Sequence, residues 1–173
     1  FYNFYITTDF ATSEKDAADF SVIAVWAYNS NGDWTLVDLV VWKQDIGKTI
    51  DMLFTKVQEY KPLSVGIEIT GQQGAYIRWL RNLMQERNIW FTFATSTKDG
   101  APGIRPTASK LVRFNQVAPL FGAKKMFFAE ELKLEESMGT FLSQLKMITY
   151  GGVKGKDDCV DATSQLFYMN PWK

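Results

Sequence analysis

The feature that most constrains the fold is a short run near the start of the chain, Tyr5-Ile6-Thr7-Thr8, which ends in the carboxylate of Asp9. A run of this kind predicts a buried strand, and Asp9 falls where that strand must turn. Because a strand end holds a side chain rigidly, the carboxylate either caps the following turn or binds a positively charged group. Further acids along the chain decide between these two roles.

Two more sets of acids stand at the ends of predicted elements. Glu68 lies near the end of a second apolar run, 64–69, and Asp157, Asp158 and Asp161 begin the last predicted helix. Asp158 and Asp161 are three residues apart, which places both carboxylates on one face of that helix. An unpaired acid in an otherwise apolar helix is costly or protonated, and a cation removes that cost. The three sets together predict one converging metal site.

Simpler explanations for the same acids stay open at the level of the sequence. Asp157 is a natural N-cap, and acids in the first turn of a helix complement its dipole. Glu68 could instead form a structural ion pair with Arg78. The metal hypothesis therefore depends on the combination of Asp9, Glu68 and the helix acids, and not on any one of them.

Composition narrows the chemistry to oxygen ligands. The 173 residues include one Cys and no His, which excludes a disulfide framework, a Cys/His zinc site and any mechanism that requires an imidazole. Carboxylates suit Mg²⁺, and two such ions about 4 Å apart activate water and stabilise the leaving oxygen in phosphodiester hydrolysis. Basic and acidic residues number 19 each, so any DNA contact must come from a local basic patch.

Side-chain patterns predict a mixed α/β domain. Three antiparallel strands come first, over 4–8, 21–28 and 34–42, with an Asn-Gly turn signal between the last two. Helices and strands then alternate, which implies parallel strands joined by crossovers. The later elements are a helix from Asp45 to before Pro62, a strand over 64–69, a helix marked by Tyr76, Trp79, Leu80 and Leu83, a strand over 90–94, a helix over 107–121, a short strand over 124–128, a helix marked by Leu134, Met138, Phe141, Leu142 and Leu145, and a last helix from about Asp158 to Tyr168.

These elements should form one domain over residues 1–173. We expect a central mixed sheet flanked by helices, with the Asp9 strand in its middle and the Glu68 strand beside it. The last helix then brings Asp158 and Asp161 over the ends of those strands. Every apolar run is shorter than the roughly 20 residues of a membrane-spanning helix, so no contact with a membrane is expected.

A set of basic residues lies near the loops that should surround the acids. Phosphate contacts from such residues underlie non-specific duplex binding. Taken singly, each is an ordinary solvated charge, but together they predict a DNA-facing rim. The candidates are Lys98, Arg105, Lys110, Arg113, Lys154 and Lys156, and Lys110 and Arg113 are three residues apart on one helix face.

The ordered set of motifs resembles the ribonuclease H-like superfamily, and more narrowly the C-terminal nuclease domain of the large terminase subunit of tailed bacteriophages. The likeness covers essentially the full chain, and the order and spacing of the motifs are more specific than any one motif. The matching pieces are Thr8-Asp9-Phe10-Ala11, Lys15-Asp16, Asp19-Phe20-Ser21-Val22, Gly66-Ile67-Glu68 with Gly71 and Gly74, Lys110 through Arg113-Phe114 with Phe121-Gly122, and Lys156-Asp157-Asp158-Cys159-Val160-Asp161-Ala162.

One departure concerns the paired acids of the last motif. Many relatives have a His before them, where this chain has Lys156. It is therefore open whether Asp157 or Asp158 faces the metal ions. We favour Asp158, because it shares a helix face with Asp161.

The resemblance implies a metal-dependent endonuclease that cuts concatemeric double-stranded viral DNA during genome packaging, with little sequence preference. It implies Asp9, Glu68 and Asp158 as the catalytic, metal-binding acids, with Asp161 as a fourth ligand. The implied cofactors are two Mg²⁺ or Mn²⁺ ions. The implied location is the cytoplasm of the infected bacterial host.

The implied partners, besides DNA, are the small terminase subunit, the portal and an N-terminal ATPase domain of the same polypeptide. That ATPase domain is absent from this chain, which opens at Phe1-Tyr2-Asn3 without a Met, so we expect an excised nuclease module. Two alternatives fit the same acids. One is another ribonuclease H-like nuclease, such as a junction resolvase or a transposase-like enzyme, and the other is a non-catalytic domain that docks on DNA or on the portal.

Overall fold

The computed structural model describes residues 1–11, 19–69, 74–149 and 151–172. In these residues one mixed sheet is formed by the strands β1 (Tyr2–Asp9), β2 (Ser21–Asn29), β3 (Trp34–Trp42), β4 (Ser64–Gly66) and β5 (Met126–Phe128), in the order β4-β1-β2-β3-β5. Neighbours among β1, β2 and β3 are antiparallel, whereas β4 is parallel to β1 and β5 is parallel to β3. The predicted fold class, an antiparallel hairpin followed by parallel strands, is confirmed.

Helices cover both faces of this sheet. They are α1 (Ile46–Tyr60), α2 (Gly74–Arg87), α3 (Lys110–Gly122), α4 (Glu136–Lys146) and α5 (Asp158–Ser164), with 3₁₀ segments at Glu130–Leu134 and Gln165–Tyr168. A small hairpin of β6 (Ile148–Thr149) and β7 (Gly152–Val153) connects α4 to α5. None of the described helices has both the length and the apolar character that crossing a lipid bilayer requires.

The central strand β2 divides the interior into two layers. All of its residues except Asn29 are buried, as expected for a strand covered on both faces. Ile23 and Val25 point to one layer, in which α1 and α2 pack, and Ala24 and Trp26 point to the other, in which α3, α4 and α5 pack. We call these the α1/α2 face and the α3/α5 face.

Strand alternation places Asp9 on the α3/α5 face. Tyr5, Thr7 and Asp9 share that face of β1, and Trp26 Nε1 donates a hydrogen bond of 2.9 Å to Thr7 Oγ1 across it. The parallel pairing of β1 with β4 ends at Thr7 and Gly66, whereas the antiparallel pairing with β2 continues to Asp9. Asp9 therefore stands at the end of the sheet, just beyond the last residue of β4.

Several predicted bounds differ from the structure. The middle strand is β2 rather than the Asp9 strand, because the sheet extends beyond β2 through β3 to β5; β4 does lie beside β1 as predicted. The run 90–94 makes only a single parallel bridge, from Phe93 to Val65, because the following loop folds back and Thr95 pairs with Gly103 instead. Leu134 is 95% exposed, since it ends a 3₁₀ segment before α4 begins.

Other predictions on local structure are confirmed or lie outside the described residues. Asp45 caps α1, with its Oδ1 accepting from the Lys48 N–H at 3.0 Å, and α1 ends at Tyr60, before Pro62. The polar turn after β1, including Lys15-Asp16, and the turn that contains Gly71 fall in segments that the structure does not describe.

Candidate metal centre

The backbone that carries Asp9 is held by Gln165, a residue that the sequence reasoning did not select. Gln165 Nε2 donates to the carbonyl oxygen of Thr8 at 2.5 Å, and its Oε1 accepts from the Thr8 N–H at 3.1 Å. Thr8 Oγ1 in turn donates to the carbonyl oxygen of Gly66 at 2.7 Å. These three bonds join the ends of β1, β4 and the segment after α5. The sequence did not distinguish this amide, because Thr163 and Ser164 directly precede it and its complete burial is known only from the structure.

Gly66 allows this junction because it has no side chain. A Cβ at this position would lie 2.5 Å from Gln165 Oε1 and 2.6 Å from Met169 Cε, both closer than such atoms can approach. The close approach of β4 to the segment after α5 therefore requires glycine at this position.

Helix α5 presents the second set of acids to the same end of the sheet. It packs against β1, β2, α3 and α4, with Asp158 and Asp161 only 8% and 3% exposed. Gln144 of α4 caps its first turn, since its Oε1 accepts from the Cys159 N–H at 2.7 Å. Asp157 occupies the N-cap position, but its side chain makes no capping bond and is more exposed. Asp158 is thus the buried member of the acid pair.

Glu68 reaches the site from beyond the end of β4. Its backbone forms a parallel bridge with Ile104, and its carboxylate is partly buried. The partner of that carboxylate is Arg113, whose Nη1 donates to Glu68 Oε2 at 2.9 Å. The ion pair considered from the sequence, with Arg78, is therefore replaced by one with a residue 45 positions away along the chain.

Two cations from α3 lie among the acids. Arg113, 2% exposed, binds Glu68, and its Nη2 lies 3.8 Å from Asp161 Oδ1. Lys110, one helical turn earlier, contacts Asp157 Oδ1 at 3.1 Å and also contacts Asp161 Oδ2. The sequence showed that these two cations share a helix face, but that face points at the acids and not outward.

The electrostatics show that acids from separate segments converge. Burial raises the pKa of Asp9 well above its usual value, the negative charges of Asp161, Asp158 and Glu68 raise it further, and the charge of Lys110 opposes them. Burial also raises the pKa of Asp158. For Asp161 the effect of burial exceeds the opposing effect of Lys110, so the pKa of this carboxyl is raised to about 6. Buried acids with raised pKa values favour the protonated form when no cation is bound, and a bound cation would favour their ionised form.

The residues fit a divalent cation by donor type, but they are not arranged as a closed cage. Asp161 Oδ1 is buried and accepts no hydrogen bond from any described residue, although Arg113 Nη2 lies 3.8 Å away. Carboxylate oxygens with no His or Cys suit Mg²⁺ and Mn²⁺. Among the described residues, however, no three acidic, His or Cys side chains are grouped so that they could hold one ion between them. Lys110 and Arg113 contact some of the same carboxylates instead.

The basic residues proposed as a DNA-facing rim occupy different environments. Lys98 and Lys154 are exposed, and the Arg105 guanidinium donates to the carbonyl oxygen of Pro102 at 3.1 Å. Lys156 contacts Asp19. Arg113 is not a rim residue, because it is buried beneath the site; the Lys110 side chain, half exposed, lies at the boundary between the acids and solvent.

Comparison with known protein families identifies one match. The family described as terminase RNase H-like domain matches residues 6–170. No curated relative matches the chain in sequence.

Among solved structures, the terminase nuclease domain of human cytomegalovirus has a TM-score of 0.68 at 15% identity, covering 98% of this chain and 83% of that chain. The large terminase nuclease of thermophilic phage G20c, with bound zinc, has a TM-score of 0.63 at 16% identity, covering 98% and 82%. A yeast mitochondrial Holliday junction resolvase has a TM-score of 0.50 at 12% identity, covering 95% and 75%. At these identities the likeness establishes the shared fold.

Proposed function

Since the chain belongs to the terminase family of RNase H-like domains, we propose that it is a metal-dependent endonuclease that cuts concatemeric double-stranded viral DNA during genome packaging. The proposal is supported by the positions of four acids near one end of the sheet: Asp9 pairs with Val22 at the end of β1, Asp158 Oδ2 accepts from the Phe20 N–H at 3.5 Å, and Arg113 lies between Glu68 and Asp161. The large terminase nuclease of phage G20c has been solved with bound magnesium, and the terminase nuclease domain of human cytomegalovirus has been soaked with manganese, which supports Mg²⁺ or Mn²⁺ here.

In this proposal Asp9, Asp158 and Asp161 bind two divalent ions, and Glu68 completes the ligand set. Ions of this kind supply a nucleophilic water near neutral pH and stabilise the charge on the leaving oxygen. Arg113 orients Glu68 through its 2.9 Å bond, and Gln165 fixes the backbone next to Asp9. The protein thus contributes a rigid, partly buried set of oxygen ligands at the end of a sheet.

The DNA grip is expected to be non-specific. Lys98, Lys154 and Lys156 would contact phosphates rather than base edges, which gives affinity without sequence preference. In the proposed setting, residues 1–173 are a nuclease module that works with an ATPase domain of the same polypeptide, a small terminase subunit and a portal. It would act in the cytoplasm of an infected bacterial host.

The test is cutting of supercoiled plasmid in Mg²⁺ or Mn²⁺, with and without EDTA. We expect nicked and linear products only with metal, and Asp9→Asn should lower the rate by about 1,000-fold or more, because a ligand to the catalytic metal is lost. Asp45→Asn is the matched control, since Asn caps helix α1 as well as Asp does and the residue is exposed.

The cutting rates of a four-way junction and of a linear duplex of the same length distinguish cleavage of ordinary duplex DNA from junction resolution. Equal cutting of the two substrates supports a duplex nuclease, and a strong preference for the junction would favour the resolvase alternative. Intact plasmid, together with a Tm that does not change on adding metal, would leave only the docking-domain alternative.

A further inference from the structure

The two cations of the site are held in different ways. The Arg113 side chain and the nearby Asp161 carboxylate are almost fully buried, with exposed fractions of 3% and 5%, and the guanidinium is held by Glu68 at 2.9 Å. The Lys110 side chain is 50% exposed, and only its terminal ammonium contacts the acids. One cation is part of the core, and the other can leave the site by rotation of a flexible side chain.

The position of Lys110 is unfavourable for its own helix. It is the first residue of α3, where the helix dipole is positive and a cation is disfavoured, and the first turn of α3 contains no acid to offset this. The charges that stabilise Lys110 are instead on α5: Asp161 and the N-cap residue Asp157. Its placement is explained by the acids it faces rather than by α3.

The contact of Lys110 with Asp161 competes with metal binding. Asp161 Oδ2 contacts the ammonium, while Asp161 Oδ1 accepts no hydrogen bond within the described part of the chain. An ammonium and a divalent cation that share a carboxylate repel each other strongly in a partly buried site. The two cannot occupy the carboxylate together without a large loss of affinity.

We propose that Lys110 is a displaceable internal counter-ion, which neutralises Asp161 and Asp157 before metal binds and is expelled toward solvent when a divalent cation enters. This inference rests on the proposed metal-dependent function. The proposal explains why the carboxylate oxygens of Asp157 and Asp161 contact Lys110, and why no three acids among the described residues are grouped around one ion position. The released ammonium lies at the mouth of the site, where a DNA phosphate would approach.

The test measures metal binding without DNA, so that it does not depend on cutting. Mn²⁺ affinity is measured by calorimetry, and Tm is measured in EDTA, for wild type, Lys110→Met, Lys110→Gln and Lys110→Arg. The neutral variants should bind Mn²⁺ about tenfold more tightly, because a competing positive charge is gone. In EDTA they should melt about 3 °C lower, because Asp161 loses a counter-ion. Lys110→Arg, which keeps the charge, should stay near wild type in both measurements.

Two outcomes would overturn the inference, and they are distinguishable. If wild type binds Mn²⁺ and the neutral variants bind it with equal or lower affinity, Lys110 is an ordinary structural cation and the proposed metal centre survives. If wild type does not bind Mn²⁺ at all, the metal centre itself fails and this inference fails with it. Lys133→Met, at an exposed lysine outside the candidate DNA-facing rim, is the control for a general effect of removing positive charge. Lys110→Gln keeps the test informative if Lys110→Met does not fold.

Discussion

Helices cover both faces of the sheet, but the charged side chains lie in different places on the two faces. On the α1/α2 face the core is apolar, and its ion pairs lie toward the surface, such as Lys56 with Asp38 at 2.5 Å and Arg87 with Asp51 at 2.6 Å. On the α3/α5 face a buried Arg113 and a buried Asp161 lie beside an apolar cluster, together with buried polar side chains such as Gln144 and Gln165.

This difference separates stability from function. Apolar burial stabilises in proportion to the area removed from water, whereas burying charges costs free energy unless they are well paired. The α1/α2 face therefore stabilises the fold without the free-energy cost of buried charge. The α3/α5 face contains a group of acids whose burial does carry that cost. Buried charged groups of this kind often mark functional sites, and in the proposed function a divalent cation binds this one.

The largest expected effect is on the α1/α2 face. Leu53 is fully buried in α1, and Leu53→Ala should lower the free energy of unfolding by about 3 kcal/mol and Tm by roughly 10 °C, because it leaves a cavity. The Mn²⁺ affinity of the folded protein should not change. Urea unfolding and calorimetry measure the two quantities, and a parallel loss of metal affinity would break the proposed separation of the faces.

A smaller effect is expected at Gly66, on the α3/α5 face. Gly66→Ala should destabilise the protein by about 2 kcal/mol, because the added methyl overlaps Gln165 and Met169. It should also weaken Mn²⁺ binding, since Gln165 holds the backbone beside Asp9. The control is Gly139→Ala in α4, where a Cβ meets nothing within 4 Å and the helix should gain about 0.5 kcal/mol. Normal Mn²⁺ binding by Gly66→Ala would show that Gln165 does not position the site.

The pH dependence of the metal-free protein sharpens the comparison further. The folded-state pKa of Asp161 is about 6, above the value of about 3.9 in an unfolded chain, so its protonation favours the fold. This stabilisation is present below about pH 4 and is lost as pH rises through about 6, by about 3 kcal/mol in total. In EDTA the Tm of Asp161→Asn should therefore increase relative to that of wild type as pH rises over that range. A difference in Tm that does not vary with pH would mean that Asp161 is fully neutralised by Lys110 and Arg113.

The smallest effect is expected for the paired acids that begin α5. Asp158→Asn should raise stability in EDTA by about 1 kcal/mol at pH 7.5, because burial disfavours the ionised carboxylate, and it should abolish the rise in Tm on adding Mg²⁺. Asp157→Asn should keep that rise, since Asp157 is more exposed and its side chain contacts Lys110. The reverse result would assign the third ligand to Asp157.

The prediction of the fold from the sequence succeeded where local pattern was strong. The three long strands, the Asp45 cap and the mixed parallel and antiparallel sheet follow from alternation, helical periodicity and turn residues. The prediction failed for the run 90–94 and for Leu134, because a short apolar segment does not reveal whether a neighbouring backbone is available to pair with it.

The sequence by itself determined which ligand type a metal could use. With no His and one Cys, carboxylates are the side chains that remain, and Asp9, Glu68 and the acids of the last helix each stand near the end of a predicted element. Only the tertiary structure decided which charges neutralise them. Arg113 binds Glu68 across 45 residues and Gln165 binds Thr8 across 157, and no local pattern specifies contacts at such separations. The physical reason is that spacing along one helix or strand reports which side chains share a face, whereas the packing of separate elements decides what that face meets.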